Sequence, residues 1–299
     1  MFEASFTSGA LWKKIVECMK DLVNEANLDC SPAGVTIQAM DSSHVALVHL
    51  LMHFDGFSAY SCERNQVLGV SMQNLSKILK ITDNSDKLTL RHEDDGDVLV
   101  ISTTSKDSSK ASEFQMKLME IEGASLGIPD LDYRNRVTLP AAEFAKIVRD
   151  LAVLGDTVTV SLDRTGVKFS ASGDIAEGYA FIRAGGVDKV KSEAGVKGEV
   201  KQEVAEEDED APLVSKIKDE VTKVKEEATE KDAAVEVTVE EPISLSFALR
   251  FFNVFGKGSA LSDRVTLCFA KDSPCMVEYK LEGMGYLRYY LAPKLDDTE

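Results

Sequence analysis

Two histidines, His49 and His53 in HLLMH, have the spacing of a helical metal pair, and Glu93, Asp94, Asp95 and Asp97 crowd carboxylates into one short stretch. Neither set predicts metal chemistry. HLLMH sits in an alternating run and lacks the glutamate of H-E-x-x-H, so its histidines belong in a strand. The acidic group misses the loop pattern of a calcium hand and reads as a polar hairpin turn. FGKGS lacks the frame that cradles phosphates, and neither G-x-S-x-G nor a paired Cys-His arrangement occurs. No catalytic residue and no cofactor are predicted. What remains is a regular placement of cations: Lys13 and Lys20 in WKKIVECMKDL, Lys77 and Lys80 in SMQNLSKILK, Lys146 and Arg149 in FAKIVRDLAVL, Arg250 and Lys257 in SFALRFFNVFGKG.

Those four stretches share one design. Leu11, Ile15, Cys18, Met19 and Leu22 follow the spacing of a helix face, as do Met72, Leu75 and Leu79, then Phe144, Ile147, Val148 and Leu151, then Leu249, Phe252 and Phe255. In each the cations avoid the apolar stripe. Between the helices the period changes to two, in VTIQAM, HVALVHLLMHF, KLTLRHE, DVLVIST, EFQMKLM, TVTVSLD, VKFSAS, YAFIR, VTLCFAK, MVEYKLE and YLRYYLA. Such runs, separated by Pro-Ala-Gly, Asp-Asn-Ser, Asp-Asp-Gly-Asp and Arg-Thr-Gly, predict antiparallel hairpins. The two halves run in parallel: helix, strand and AGVTIQAMD in one match helix, strand and TGVKFSASG in the other. The fold class is α+β, built by internal duplication, with repeats of about a hundred residues before insertions.

The predicted organisation is a first domain at 1–118, a connector at 119–134 (MEIEGASLGIPDLDYR) and a second domain at 135–299. Residues 186–241 form an insertion in the second domain. This stretch has no aromatic residue and holds 9 lysines against 18 acids, so it carries −9 of the chain's −17. It cannot build a core. The overall acidity therefore argues against non-specific nucleic-acid binding over the whole surface and leaves room for a local basic patch. Cys18, Cys30, Cys62, Cys268 and Cys275 are scattered and odd in number, which predicts reduced, buried thiols. With no long apolar run and no leader-like start, the protein is expected to be soluble and intracellular, without a membrane partner.

MFEA, KDLVNEA, MDSSHVALV, SKILK, MKLMEIE followed by LGIP, GVKFSASG, FALRFFNVF, and MVEYK through YYLAPK together resemble the eukaryotic sliding-clamp family, proliferating cell nuclear antigen. The resemblance spans nearly all of the chain outside 186–241. It implies a duplicated DNA-clamp fold in a nuclear, non-enzymatic homotrimer, a ring whose helices face double-stranded DNA and whose strands form the outside. It assigns the lining cations to Lys13, Lys14, Lys20, Lys77, Lys80, Lys110, Lys146, Arg149, Arg250 and Lys257, contacting phosphate without reading sequence. In the family the edge strand at Lys110–Lys117 pairs with a neighbour's strand at 175–183, which places Ile81, Phe114, Gly178 and Tyr179 at the seam. Peptides of DNA polymerases, the clamp loader, nucleases and ligase are implied to enter an apolar pocket at Met40, His44, Val45, Leu47, Leu126, Ile128, Pro129, Tyr133, Pro274, Tyr290, Leu291, Ala292 and Pro293.

Two departures stand out. Arg164 occupies the position where many family members carry a ubiquitin-accepting lysine, which leaves Lys168 as the nearest substitute. In the insertion, an apolar residue, a lysine and an acid two further on recur at Lys191, Lys197, Lys201, Lys218 and Lys225, the acceptor pattern of the small ubiquitin-like modifier. These lysines are candidate modification sites, although a composition this rich in Lys and Glu also generates the pattern. Two alternatives to a replication clamp are a subunit of a DNA-damage checkpoint clamp, and a metal-assisted nuclease built on Asp94, Asp95 and Asp97.

Overall fold

The computed structural model describes residues 1–94, 96–122, 131–174, 176–185 and 235–294. Among the described residues, eighteen strands form three antiparallel sheets. The first has the order β5 (Ala59–Cys62), β1 (Phe2–Phe6), β7 (Lys87–His92), β8 (Val98–Thr104), β9 (Ala111–Lys117). The second has nine strands: β14 (Glu236–Thr238), β10 (Asn135–Pro140), β16 (Arg264–Phe269), β17 (Cys275–Leu281), β18 (Gly285–Leu291), β4 (Ala46–His53), β3 (Gly34–Met40), β2 (Glu25–Ser31), β6 (Gln66–Ser71). The third runs β13 (Glu177–Arg183), β12 (Gly166–Ser172), β11 (Thr157–Asp163), β15 (Ile243–Ala248). Four helices complete the described residues: α1 (Ala10–Met19), α2 (Met72–Ile81), α3 (Ala141–Leu151) and α4 (Leu249–Phe255), the last running into a 3-10 turn at Gly256–Ala260.

Alternation explains why the strands have two unlike faces. In β11, Val158, Val160 and Leu162 are buried, whereas Thr159 and Ser161 turn outward to meet Ser246 and Ser244 of β15 at 3.0 and 2.9 Å. The two halves join where β18, last in the chain, pairs with β4, setting Leu291 opposite Ala46 and Tyr290 opposite Leu47. Beneath that joint Tyr289 stacks on Phe255 of α4 with ring centroids 4.4 Å apart, and its hydroxyl donates to the Cys18 carbonyl at 3.0 Å. The core therefore lies between the helices and the inner faces of the sheets.

The duplication is visible at two glycines. Gly34 opens β3 at φ 141° and Gly166 opens β12 at φ 154°. A Cβ on either would lie 2.0 Å from the Met52 carbonyl oxygen or 2.1 Å from that of Ile182. The same hairpin, with the same backbone demand, appears once per repeat.

Several strands are absent from the sequence-based set: β1, β5, β6, β10, β14 and β15. β1 is buried at Phe2, Ala4, Ser5 and Phe6, so it does not alternate, and β6 is buried at three successive positions because the Met119 amide bonds across its edge to the Gly69 carbonyl at 3.0 Å. The fourth helix begins at Leu249, the first residue of its apolar stripe, while Ser246, Phe247 and Ala248 at the head of the same stretch belong to β15. All five cysteines are buried and free.

Candidate DNA-facing helix layer and partner groove

The helices form one continuous layer. α1 packs on α2, α3 packs on α4, and both α1 and α3 pack on the Gly256–Ala260 turn, so both repeats contribute to one surface. Cys18 helps lock the joint by donating to the Lys257 carbonyl at 3.3 Å, and burial pushes its thiol up to about 12. The layer's outer side carries the cations. Lys14, Lys77 and Lys146 are exposed there and make no ion pair among the described residues; Lys110, just before β9, is exposed likewise.

The remaining six cations are engaged. Lys13 donates to the Thr82 carbonyl and to Asn84 Oδ1, fastening α1 to the end of α2. Lys20 pairs with Glu17 at 2.7 Å and Lys80 approaches the same carboxylate at 3.8 Å. Arg149 lies 3.7 Å from Asp150, Lys257 pairs with Asp21, and the Arg250 guanidinium covers the Phe251 ring at 4.7 Å. Partial burial raises the Glu17 pKa, but hydrogen bonds from Lys20 and Ser76 and the charges of Lys20 and Lys80 outweigh it, so the carboxyl sits below its usual range; Lys20 is correspondingly raised, chiefly by its bond to Glu17. The ten cations are therefore not equivalent, and the signal for this in the sequence is Glu17, three residues before Lys20.

On the opposite face of the nine-stranded sheet, Met40, Leu47, Tyr290 and Met276 stand in one cross-strand row. The neighbouring rows, containing Val48, Tyr289 and Val277 or Ala46, Leu291 and Cys275, point into the core and are buried. Leu291 thus supports the row from beneath and does not line it. Beside the row, Asp41 organises the β3–β4 loop: its Oδ1 accepts from the amides of Val45 and Ala46 at 2.8 and 2.7 Å, and its Oδ2 accepts from that of Ser43 at 2.9 Å. Burial raises the Asp41 pKa, yet these donors and the Ser43 hydroxyl bring it below the ordinary value. The loop holds His44 at φ 58° and leaves Val45 37% exposed.

Ala292 donates to the Val45 carbonyl at 3.1 Å, which draws Ala292 and Pro293, both half-buried, to the loop. The Tyr133 hydroxyl donates to the Pro274 carbonyl at 2.8 Å, close to the Met276 end of the row. Burial and the nearby Tyr290 push the Tyr133 hydroxyl pKa well up, so it stays a donor. Leu126, Ile128 and Pro129 lie outside the described residues, as do Lys191, Lys197, Lys201, Lys218 and Lys225. Sequence reasoning missed Asp41 and Met276, although Asp41 falls inside the quoted MDSSHVALV.

At the two sheet ends singled out for a seam, Ile81 is 67% and Tyr179 68% exposed, while Phe114 and Gly178 are half-buried. Val153, in the turn after α3, is 79% exposed, and Phe181 on β13 is 42% exposed. Arg164 sits exposed at the tip of a turn closed by Asp163, whose Oδ1 accepts from the Thr165 amide at 2.7 Å and the Gly166 amide at 3.2 Å. Lys168 lies on β12 with its ammonium 4.6 Å from the Tyr179 ring centre.

Among the described residues no three His, Cys, Asp or Glu side chains gather as metal ligands would. Asp94 instead pairs with Arg64, and His49 and His53 stand on β4. Asp95 lies outside the described residues.

A duplicated α+β chain with one shared helix layer and hairpin sheets outside it has the architecture of a sliding clamp. The family model for the N-terminal domain of proliferating cell nuclear antigen matches residues 1–125, and that for its C-terminal domain matches 127–207 and 215–294. The chain belongs to the proliferating cell nuclear antigen family, and is a clamp of the kind that acts as a processivity scaffold on DNA.

Proposed function

We propose that this chain is the subunit of a homotrimeric ring that encircles double-stranded DNA in the nucleus, slides on it, and tethers DNA polymerases, a clamp loader, nucleases and a ligase through the outer groove. One observation carries the reading: the cationic helices of both repeats share one layer, and the apolar Met40–Leu47–Tyr290 row lies on the opposite face. Phosphate contacts inside position without specifying sequence, and topology supplies retention, so each contact can stay weak. The groove takes short peptides whose apolar anchors fill it, and three copies per ring raise their effective concentration.

Ring closure fits the state of the strand edges. The edge of β6 is covered by Met119, and that of β15 by Lys294, whose amide donates to the Ser246 carbonyl at 2.7 Å. The outer edges of β9 and β13 have no such cover among the described residues, and an edge of that length needs a partner. Modification at Lys168 or at the five insertion lysines belongs to the same reading, with Arg164 unable to accept ubiquitin.

The test is primer extension on a singly primed circle with polymerase and clamp loader. Added clamp should lengthen the products, and Tyr290→Ala should abolish the gain without altering the clamp's sedimentation. Unchanged product length with wild-type clamp would refute the role. A checkpoint-clamp subunit would sediment alone as a monomer of 32.7 kDa.

A further inference from the structure

The outward row that carries the groove does not stop at Met276. Cross-strand register continues it from Met40, Leu47, Tyr290 and Met276 through Cys268 of β16 to Arg136 of β10. Neighbouring strands lie about 4.8 Å apart, so Arg136 stands about 14 Å from Tyr290, a span of about four residues of extended chain. An open cleft of about 720 Å³ takes in Met276, Cys268 and Arg136 together, with Glu278 and Arg288 beside them. The apolar groove and the arginine therefore share one continuous surface.

Arg136 differs from the arginines around it in having no acid of its own. Arg288 pairs with Glu278 at 2.6 Å, Arg134 with Asp132 at 2.9 Å and Glu240 at 3.1 Å, and Arg264 with Glu236 at 3.4 Å. Arg136 is exposed, and no carboxylate lies within ion-pair distance of it among the described residues. What it meets is Cys268. Burial pushes that thiol's pKa up, and this outweighs Arg136, which is close enough to hydrogen-bond the sulfur and pulls the pKa down. The thiol therefore stays neutral at pH 7 and leaves the guanidinium its charge. A guanidinium presents a planar fork of donors that fits a carboxylate with two hydrogen bonds.

We propose that Arg136 is a specificity-determining contact for partner peptides: it takes the carboxylate of an Asp or Glu about four residues outside the apolar anchors, on the flank that runs across β17 and β16. The inference rests on the groove reading. In a chain of net charge −17 the long-range field disfavours acidic peptides. A preference for an acid at that one place therefore has to come from a local contact.

Isothermal titration of the full chain with two series of peptides tests this. All share one helical turn carrying a leucine and two phenylalanines as anchors. Asp, Asn or Lys is set about four residues before the turn in one series and about four after it in the other, within otherwise Gly-Ser tails. In one of the two series the Asp peptide should bind wild type about fivefold more tightly than the Asn peptide at low salt, and the gain should shrink as salt is added. Arg136→Gln should remove the gain, and Arg136→Glu should turn the preference to the Lys peptide, which also shows that the variant is folded. Equal affinities for Asp and Asn in both series, or a gain that persists in Arg136→Gln, overturn the contact and leave the groove standing. If no peptide carrying the anchors binds wild type, the groove reading falls, and this inference falls with it.

Discussion

Glu17 on α1 accepts a hydrogen bond from Ser76 on α2 at 2.6 Å, and the same carboxylate draws in Lys20 and Lys80. One acid thus fastens two helices and at the same time cancels part of the charge on the surface they present. The layer is basic in places, and the helix cations without an ion pair or hydrogen bond among the described residues are Lys14, Lys77 and Lys146.

That distinction yields an ordering of variants. Lys77→Glu and Lys146→Glu should each weaken DNA binding by about tenfold near physiological salt and lower the slope of log K against log salt by at least about 0.9. Lys20→Glu should do less, since its charge is already matched by Glu17. Glu17→Gln should tighten binding, because it frees Lys20 and Lys80. Fluorescence anisotropy with a short duplex at several salt concentrations measures all four; equal losses from Lys20 and Lys77 would contradict the assignment.

The same carboxylate gives a pH signature. Its folded pKa is below the ordinary 4.5, so its stabilising contribution is fully present above 4.5 and is lost as pH falls through the lower folded value. Partly exposed and solvent-screened, the interaction is worth about 0.5 kcal/mol. Melting curves of wild type and Glu17→Gln should differ slightly at pH 7 and converge in acid, once the pH falls below the folded pKa of Glu17.

Asp41 is the strongest organiser of the groove. Asp41→Ala leaves the amides of Ser43, Val45 and Ala46 without their acceptor, costing about 2 kcal/mol of stability, and it frees His44 and Val45 from their fixed positions. Isothermal titration with an apolar-anchored partner peptide should show at least tenfold weaker binding, with sedimentation unchanged. Retained peptide affinity would mean that the loop does not shape the site.

Gly34→Ala and Gly166→Ala probe the duplication. Each sets a Cβ within about 2.1 Å of a carbonyl oxygen at a positive φ, so each should lower stability by about 2 kcal/mol or more. Comparable drops in melting temperature are expected, because the two hairpins are the same structure twice. A tolerated alanine at either position would show that the hairpin can relax.

Much of this was legible in the sequence where one periodicity ruled one face. The buried stripe of α3 and the alternation of β11 follow from their residues. β1 and β6 did not follow, because the covering of their second face comes from elsewhere in the fold. For the groove, MDSSHVALV and YYLAPK marked the right strands, but the row uniting Met40, Leu47 and Tyr290 exists only through the pairing of β4 with β18, more than two hundred residues apart. The burial of Leu291 follows from the same register. Among the cations, spacing located all four helices, yet the hydrogen-bond acceptors Thr82 and Asn84 and the ion-pair partner Asp21 are set by tertiary packing and have no local signature.

The most direct measurement loads the protein onto a nicked circular duplex with a clamp loader, removes free protein, and then cuts the circle once. A ring held by topology should survive a high-salt wash on the circle and run off the ends within minutes of linearisation. Equal retention before and after the cut would show a groove binder held by contacts alone, and would contradict encirclement.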